Sequence, residues 1–247
     1  MSQLDSPATS GFGRILFGIY AWLVFLLCLL SAIVFALLLP GLERRRRWAS
    51  GSARASFWLA GIPVKVRGLE MLPAGHCVVV ANHASYIDGV LLFGFLPPRF
   101  SFVIKGEMKR FPAISILLRR VGSRFVERFE PAGSARDARR LLKAASSGES
   151  LAFFPEGTFL RHPGLARFRS GAFAAAIKGG MPVIPVVISG SRRILPGGHA
   201  LPRHGRVRID VMTPIGPDEP AYGNSRDLAE LSRQRILTVL DEPDLLA

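Results

Sequence analysis

From Ile15 to Leu39 the chain carries no charged side chain. The only notable polar groups in this stretch are Tyr20, Cys28 and Ser31. A helix crosses the hydrocarbon core of a bilayer with about 20 apolar residues, and this run is longer. Arg14 precedes it, Pro40 and Gly41 end it, and Glu43–Trp48, "ERRRRW", follows. A secretory signal has a shorter apolar region and a small-residue cleavage site. Here the run is too long and the positive cluster comes after it, so the sequence predicts a retained membrane anchor. By the positive-inside rule, Arg44–Arg47 and everything beyond them face the cytoplasm. That expectation places the protein at the inner membrane with its main domain on the cytoplasmic side. Two alternatives stay open: a buried core helix, and a helix lying in the interface. The interfacial alternative draws on "WASGSARASFWLAGI", in which Trp48, Phe57, Trp58 and Leu59 sit beside Arg54.

Charge and hydropathy agree with a membrane surface. The 247 residues include 32 Lys and Arg against 18 Asp and Glu, a formal charge of +14, and 49% are hydrophobic. Each Lys or Arg near an anionic leaflet contributes about 1 kcal/mol of attraction. A nucleic-acid binder would carry such charge on exposed helices or aromatic strand platforms rather than behind a membrane segment, so no nucleic-acid partner is expected. The basic excess lies around Glu43–Arg67 and Arg99–Arg140, while the chain from Pro217 is acidic on balance. Cys28 and Cys77 are far apart and belong to no C-x-x-C pattern, so neither a disulfide framework nor a metal site is expected.

After Ile62 short β-branched runs alternate with helical stretches. The expected strands are Val64–Arg67, Cys77–Ala81, Ser101–Lys105, Arg124–Glu127, Leu151–Phe154, Val183–Ile188 and Val207–Val211. The expected helices are Tyr86–Leu96, Glu107–Arg120, Ser134–Ser147, Ser170–Lys178 and Ser225–Leu240. Several strands are apolar throughout, as in a sheet covered on both faces. The alternation predicts an α/β fold: a central, mainly parallel, mixed sheet of about seven strands flanked by helices, preceded by the N-terminal membrane helix. The expected division is 1–61 for the membrane-anchoring segment and 62–247 for the α/β domain. The Gly- and Pro-rich stretch Leu195–Gly205, with two of the five histidines, reads as a surface connection.

Ligands of open parallel sheets bind beyond the carboxyl ends of the strands. Four expected strands end in polar groups: Asn82-His83, Lys105, Arg128, and Pro155 followed by Glu156-Gly157-Thr158. Together they would form a rim with a base candidate, two cations and a glycine-containing turn. His83 and Asp88 stand five apart, too far round a continuous helix to meet. Ser85 is a plausible N-cap, which puts Asp88 in the first turn and His83 in the preceding loop. Asp88 can then accept from the imidazole and leave its other nitrogen as a base, the orienting role of the acid in a Ser-His-Asp triad. The plain alternative is that Asp88 only completes a capping box. Gly157 and Thr158 offer backbone N–H groups to an anion, and Glu156 could hold a cation or a hydroxyl. No dinucleotide, P-loop, H-E-x-x-H or G-x-S-x-G motif is present, so the nucleophile is expected to come from the substrate.

These residues resemble the conserved blocks of the glycerolipid acyltransferases. "NHASYID" resembles an N-H-x-x-x-x-D block, "GSRFVER" a second block ending in Arg128, "FPEGT" a third, and "VIPVVI" a fourth. The order and spacing agree over about Ile62–Val211. Within the family the chain looks most like the bacterial 1-acyl-sn-glycerol-3-phosphate acyltransferases. The resemblance implies that His83 deprotonates the sn-2 hydroxyl of a lysophospholipid acceptor, which attacks the thioester of acyl-CoA or acyl carrier protein. It implies that Asp88 orients His83, and that Arg128 with Asn82 and the Glu156–Thr158 turn lines the acceptor site. Lys105 is expected to stabilise an oxyanion or bind phosphate. No metal and no cofactor beyond the acyl thioester is implied, and anionic membrane is the implied partner surface. The third block commonly continues with an arginine. Here Phe159 stands in that place, so either Arg161 or Arg169 substitutes or the acceptor headgroup differs, as in a lyso-aminolipid. A non-catalytic lipid-binding protein is the alternative from another class, and the intact His83 and Asp88 argue against it.

Overall fold

The computed structural model describes residues 11–126 and 131–247, and for 131–138 the backbone alone. Seven strands form one sheet: β1 Val64–Arg67, β2 Val78–Ala81, β3 Ser101–Lys105, β4 Arg124–Val126, β5 Leu151–Phe153, β6 Val183–Ser189 and β7 Val207–Val211. Their order is β1-β7-β6-β2-β5-β3-β4. Every neighbouring pair is parallel except β6 and β7. Five strands therefore share one direction, and the carboxyl ends of β6, β2, β5, β3 and β4 lie along one rim. Pro185 sits inside β6 without breaking it. It falls between the isolated Val183–Ile215 bridge and the ladder that starts at Val186–Val211, so its missing N–H interrupts no ladder bond.

Strand β2 is buried at every position, and its side chains divide between two cores. Val79 and Ala81 join Ile184, Val186, Phe57, Leu91 and Leu92 on one face. Val78 and Val80 join Leu151, Val183, Phe173, Ala176 and Leu228 on the other. The first face is covered by α2 Leu42–Leu59 and α3 Asp88–Phe95, and the second by α5 Pro131–Ser146, α6 Gly171–Gly179 and α8 Ser225–Leu237. The central strands read as continuous apolar runs because both faces are covered.

Helix boundaries differ from the sequence expectation where local chemistry intervenes. The expected helix Glu107–Arg120 is two pieces, a 3₁₀ turn Gly106–Arg110 and α4 Pro112–Arg120. Pro112 has no N–H to donate and holds Phe111 at φ −101°, ψ 97°, outside the helical region. Helix α3 starts at Asp88 rather than Tyr86, because Ser85 to Ile87 form a turn with their own bonds. Helix α7, Ser191–Ile194, is a short element the sequence reading placed in no helix. Glu127, expected to end β4, lies outside the described residues.

The apolar run is helix α1, Gly11–Leu38. Only 17% of its most apolar 18-residue stretch is buried, which rules out a core helix. Gly41, at φ 78°, reverses the chain into α2. The two helices run antiparallel, with Tyr20 Oη donating to Leu59 O at 2.8 Å and Trp48 Nε1 donating to Ser31 Oγ at 3.2 Å. One stripe of α1, with Phe17, Ala21 and Val24, belongs to the same core as β2 and α3. The loop between Leu195 and Gly205 is bound to α1. His204 stacks on Phe17 with centroids 3.5 Å apart, and Trp22 Nε1 donates to Ala200 O at 2.6 Å.

The basic cluster after α1 is not uniformly solvated. Arg46 is buried and donates to Val121 O at 2.8 Å, Arg99 O at 3.0 Å and Ser101 Oγ at 2.6 Å. Ser101 and Arg124 in turn bond Glu149. Its neighbour Arg47 stays exposed and pairs with Glu43 at 2.6 Å.

Candidate functional site

The carboxyl end of β2 delivers Asn82 and His83 into a tight loop before α3. Asn82 is buried, and its amide bonds both the carbonyl (3.0 Å) and the N–H (2.7 Å) of Ile188. It stitches the end of β2 to β6. Asp88 is fully buried, and its Oδ2 accepts from the N–H groups of Ala84 at 2.6 Å and Ser85 at 2.7 Å. The same oxygen lies 3.0 Å from His83 Nδ1. Asp88 therefore performs both roles the sequence left as alternatives: it reaches back to the Ser85 N–H as a capping acid does, and it meets the imidazole. Ser85 differs from its expected N-cap role. Its Oγ donates to Leu195 O at 2.6 Å and accepts from Ile87 N at 3.4 Å, while no side chain caps α3. The turn closes before the helix starts, and that brings His83 and Asp88 together across five positions.

The β5 end supplies the opposite wall. Phe154 stacks on the His83 ring with centroids 4.2 Å apart, and Phe159 meets it edge-on at 4.8 Å. Phe159 also packs edge-on against the exposed Tyr86 at 4.7 Å. A protein charge is absent from this contact: the position that carries arginine in the resembled block places a ring on the imidazole. Glu156 is buried, with Oε1 accepting from His83 N–H at 2.7 Å and Oε2 from Ala166 N–H at 3.0 Å. Burial pushes its carboxyl up to about 7, while the Ala166 and His83 N–H groups favour the ionised form and pull the other way.

The glycine of this turn behaves differently from its expected part. Gly157 has φ +83°, and its N–H donates to Phe154 O at 3.0 Å. That N–H closes the turn instead of facing an anion. The Thr158 N–H has no partner among the described residues, and Thr158 is exposed. Arg161 is exposed and lies along the Gly197–Gly198 turn, where a β-carbon on Gly198 would come within 3.3 Å of its Nε. Arg169 is held next to the turn by its N–H bond to Pro155 O at 2.9 Å. Lys105 ends β3 on the same rim. Arg128 lies outside the described residues, just beyond β4. Among the described residues no group of three or more His, Cys, Asp and Glu could hold a metal ion.

Of the two rings on His83, the sequence names Phe159 only as the residue in place of an arginine and does not single out Phe154. Phe154 carries a signal, since it immediately follows an apolar strand that pairs with β2 and so must emerge beside His83. Phe159 carries none without the turn geometry.

A family model described as Acyltransferase matches residues 63–189. The chloroplastic 1-acyl-sn-glycerol-3-phosphate acyltransferase BAT2 of Brassica napus is 33% identical over 166 residues, covering 66% of this chain and 46% of that protein. The chain thus spans about half the length of this plant relative. The lyso-ornithine lipid O-acyltransferase of Pseudomonas aeruginosa is 32% identical over 219 residues, covering 79% of this chain and 76% of that protein. The crystal structure of the 1-acyl-sn-glycerophosphate acyltransferase PlsC from Thermotoga maritima superposes with a TM-score of 0.72 over 92% of this chain and 97% of that one. At 22% identity that likeness speaks for the fold alone.

Proposed function

The chain belongs to the acyltransferase family, and on that premise we propose that it acylates the sn-2 hydroxyl of 1-acyl-glycerol 3-phosphate, making phosphatidic acid. The observation that carries this reading is the 3.0 Å contact between His83 Nδ1 and the buried Asp88 Oδ2, on a rim that also holds Lys105. With Nδ1–H donating to Asp88, the Nε2 lone pair is free to take a proton. Nε2 takes the proton of the acceptor hydroxyl as its oxygen attacks the thioester carbonyl of acyl-CoA or acyl carrier protein. The new C–O bond forms, the C–S bond breaks, and the imidazolium returns the proton to the departing thiolate. Asp88 stabilises the imidazolium during that interval. Lys105, Arg128, Arg161 and the Thr158 N–H are the groups proposed to meet the phosphate or the oxyanion. The reading requires no resident metal or cofactor.

The membrane placement follows the same logic. Helix α1 is about 42 Å long at 1.5 Å per residue, and the α2 return, the Ala200–His204 stretch and the α4 end all pack along it. A helix flanked along its length by its own domain favours a hairpin seated in one leaflet over a lone perpendicular span. Its uncovered side, with Leu16, Leu23, Leu26, Leu27 and Leu30, would meet lipid. We place the rim at the cytoplasmic face of the inner membrane.

A second reading has its own support. Phe159 puts a ring where the resembled third block has an arginine, and a relative 32% identical over 79% of this chain is named for a lyso-ornithine lipid. A lyso-aminolipid acceptor would need no phosphate site at that position. One experiment addresses both readings: acyl transfer by purified protein against a panel of lyso-lipid acceptors with acyl-CoA and acyl carrier protein donors. His83→Ala is expected to lower turnover by about 10²–10⁴-fold while the protein stays folded and membrane-bound. Turnover retained by that variant would sink the base assignment. Preference for a phosphate-free acceptor would favour the second reading.

A further inference from the structure

Glu156 belongs to the turn that the resemblance places against the acceptor headgroup, yet its carboxylate points the other way. It is 7% exposed. Each oxygen already accepts a backbone N–H, one from His83 at 2.7 Å and one from Ala166 at 3.0 Å. Each oxygen keeps a second lone pair, but with the residue 7% exposed a headgroup hydroxyl or cation would reach it only by opening the turn and breaking one of these bonds. A buried N–H left without a partner costs about 1–3 kcal/mol. We propose that Glu156 is a positioning residue for His83, tying the backbone of the base to the Gly164–Ala166 segment, and that it does not contact the acceptor.

The surrounding geometry supports that role. Asp88 holds the ring of His83 only at Nδ1. The direction of the free nitrogen also depends on the backbone from which the ring hangs, and the His83 N–H is anchored by Glu156. The same short turn brings Phe154 and Phe159 onto the imidazole, so one segment fixes His83 by a hydrogen bond and two rings. The far end of the clamp is fixed as well. The Leu165 and Ala166 carbonyls accept from Arg233, which is 1% exposed and paired with Asp244. The Gly164 N–H donates to Glu242, which pairs with Arg192 at 2.8 Å. A carboxylate fixed at both ends transmits position, whereas a ligand group needs a free face.

This inference rests on His83 being the base, and the test separates the two claims. Glu156→Gln keeps the side-chain size but turns an amide N–H₂ toward one of the two backbone donors. Kinetics are measured with the acceptor that turns over best in the panel, beside wild type and His83→Ala. The expected result is a fall in kcat of about ten- to a hundred-fold, the scale of small misplacements of a reacting group, with the acceptor KM changed less than two-fold. Because Glu156 and Asp88 act through the same imidazole, adding Asp88→Asn is expected to cost less than the product of the two single losses. A rise in acceptor KM at constant kcat would make Glu156 a ligand and overturn the proposal. Unchanged kinetics, or fully multiplicative losses, would overturn it too. Should the glutamine variant fail to fold, Glu156→Asp, which keeps the charge at shorter reach, is expected to lose kcat in part at constant KM, and a KM-only effect there would again overturn the proposal. Full turnover by His83→Ala would instead remove the base assignment itself.

Discussion

Three successive backbone N–H groups, those of His83, Ala84 and Ser85, end on carboxylate oxygens. Consecutive N–H groups of this kind form a concavity that attracts anions. In this chain the anions are its own Glu156 and Asp88. Phe159 is the residue at which this rim departs from the resembled pattern. Phe159→Arg would bring a guanidinium beside His83 and Tyr86. A hydrogen bond to a charged group contributes about 1.5–3 kcal/mol, so the KM for 1-acyl-glycerol 3-phosphate is expected to fall about ten-fold or more. Steady-state kinetics with that acceptor measures it, and an unchanged KM would place the phosphate away from position 159.

At the scale of elements, the hairpin of α1 and α2 is fastened by single side chains rather than by a broad polar seam. Arg46 joins α2 to the turn after α4 and to the start of β3. Its removal would leave buried acceptors without donors and Glu149 with one cation fewer. Arg46→Ala is expected to destabilise the protein by about 3 kcal/mol or more, as broken buried charge networks do. Arg47→Ala removes only an exposed pair and is expected to change stability by less than about 1 kcal/mol. Thermal unfolding in detergent distinguishes them, and equal midpoints would mean that Arg46 is not a fastening point. In the sequence both belong to one run of four arginines. Charge patterning reads that run as a membrane-facing cluster and has no means of telling which arginine turns inward.

For the whole molecule, the apolar helix α1 and the α/β layers share a core. Phe17, Ala21 and Val24 of α1 pack with Phe57 of α2 and with Leu91 and Leu92 of α3. Gly18 is a point of close approach, since a β-carbon there would come within 2.8 Å of Leu201 Cβ. A chain lacking residues 11–38 is expected to aggregate or to lose acyl transfer even in detergent, because this stripe would leave apolar core exposed. Gel filtration together with the transfer assay checks this. A monodisperse, active product would show α1 to be a detachable anchor.

Much of this architecture was legible before the tertiary structure. Short β-branched runs that alternate with helical stretches identify six strands within a residue or so at each end; β2 and β5 are apolar at every position because both faces are covered, whereas β1 and β7 alternate apolar and charged residues. The strand-end positions of His83, Lys105 and Glu156 follow from those boundaries, and the length and composition of the N-terminal run mark a helix long enough to cross a membrane. What periodicity could not decide was direction and partnership. The antiparallel entry of β7, the inward turn of Arg46 and the bond from the His83 N–H to Glu156 depend on groups distant in sequence, so no local pattern records them, whereas the break at Pro112 and the Gly157 N–H bond to Phe154 O are local. The sequence by itself determined which residues stand at the rim, because strand ends are set by short-range chemistry. Only the tertiary structure decided which neighbour each of them bonds. A hydrogen-bonding group has few donor or acceptor sites, and its role depends on which neighbour reaches them first.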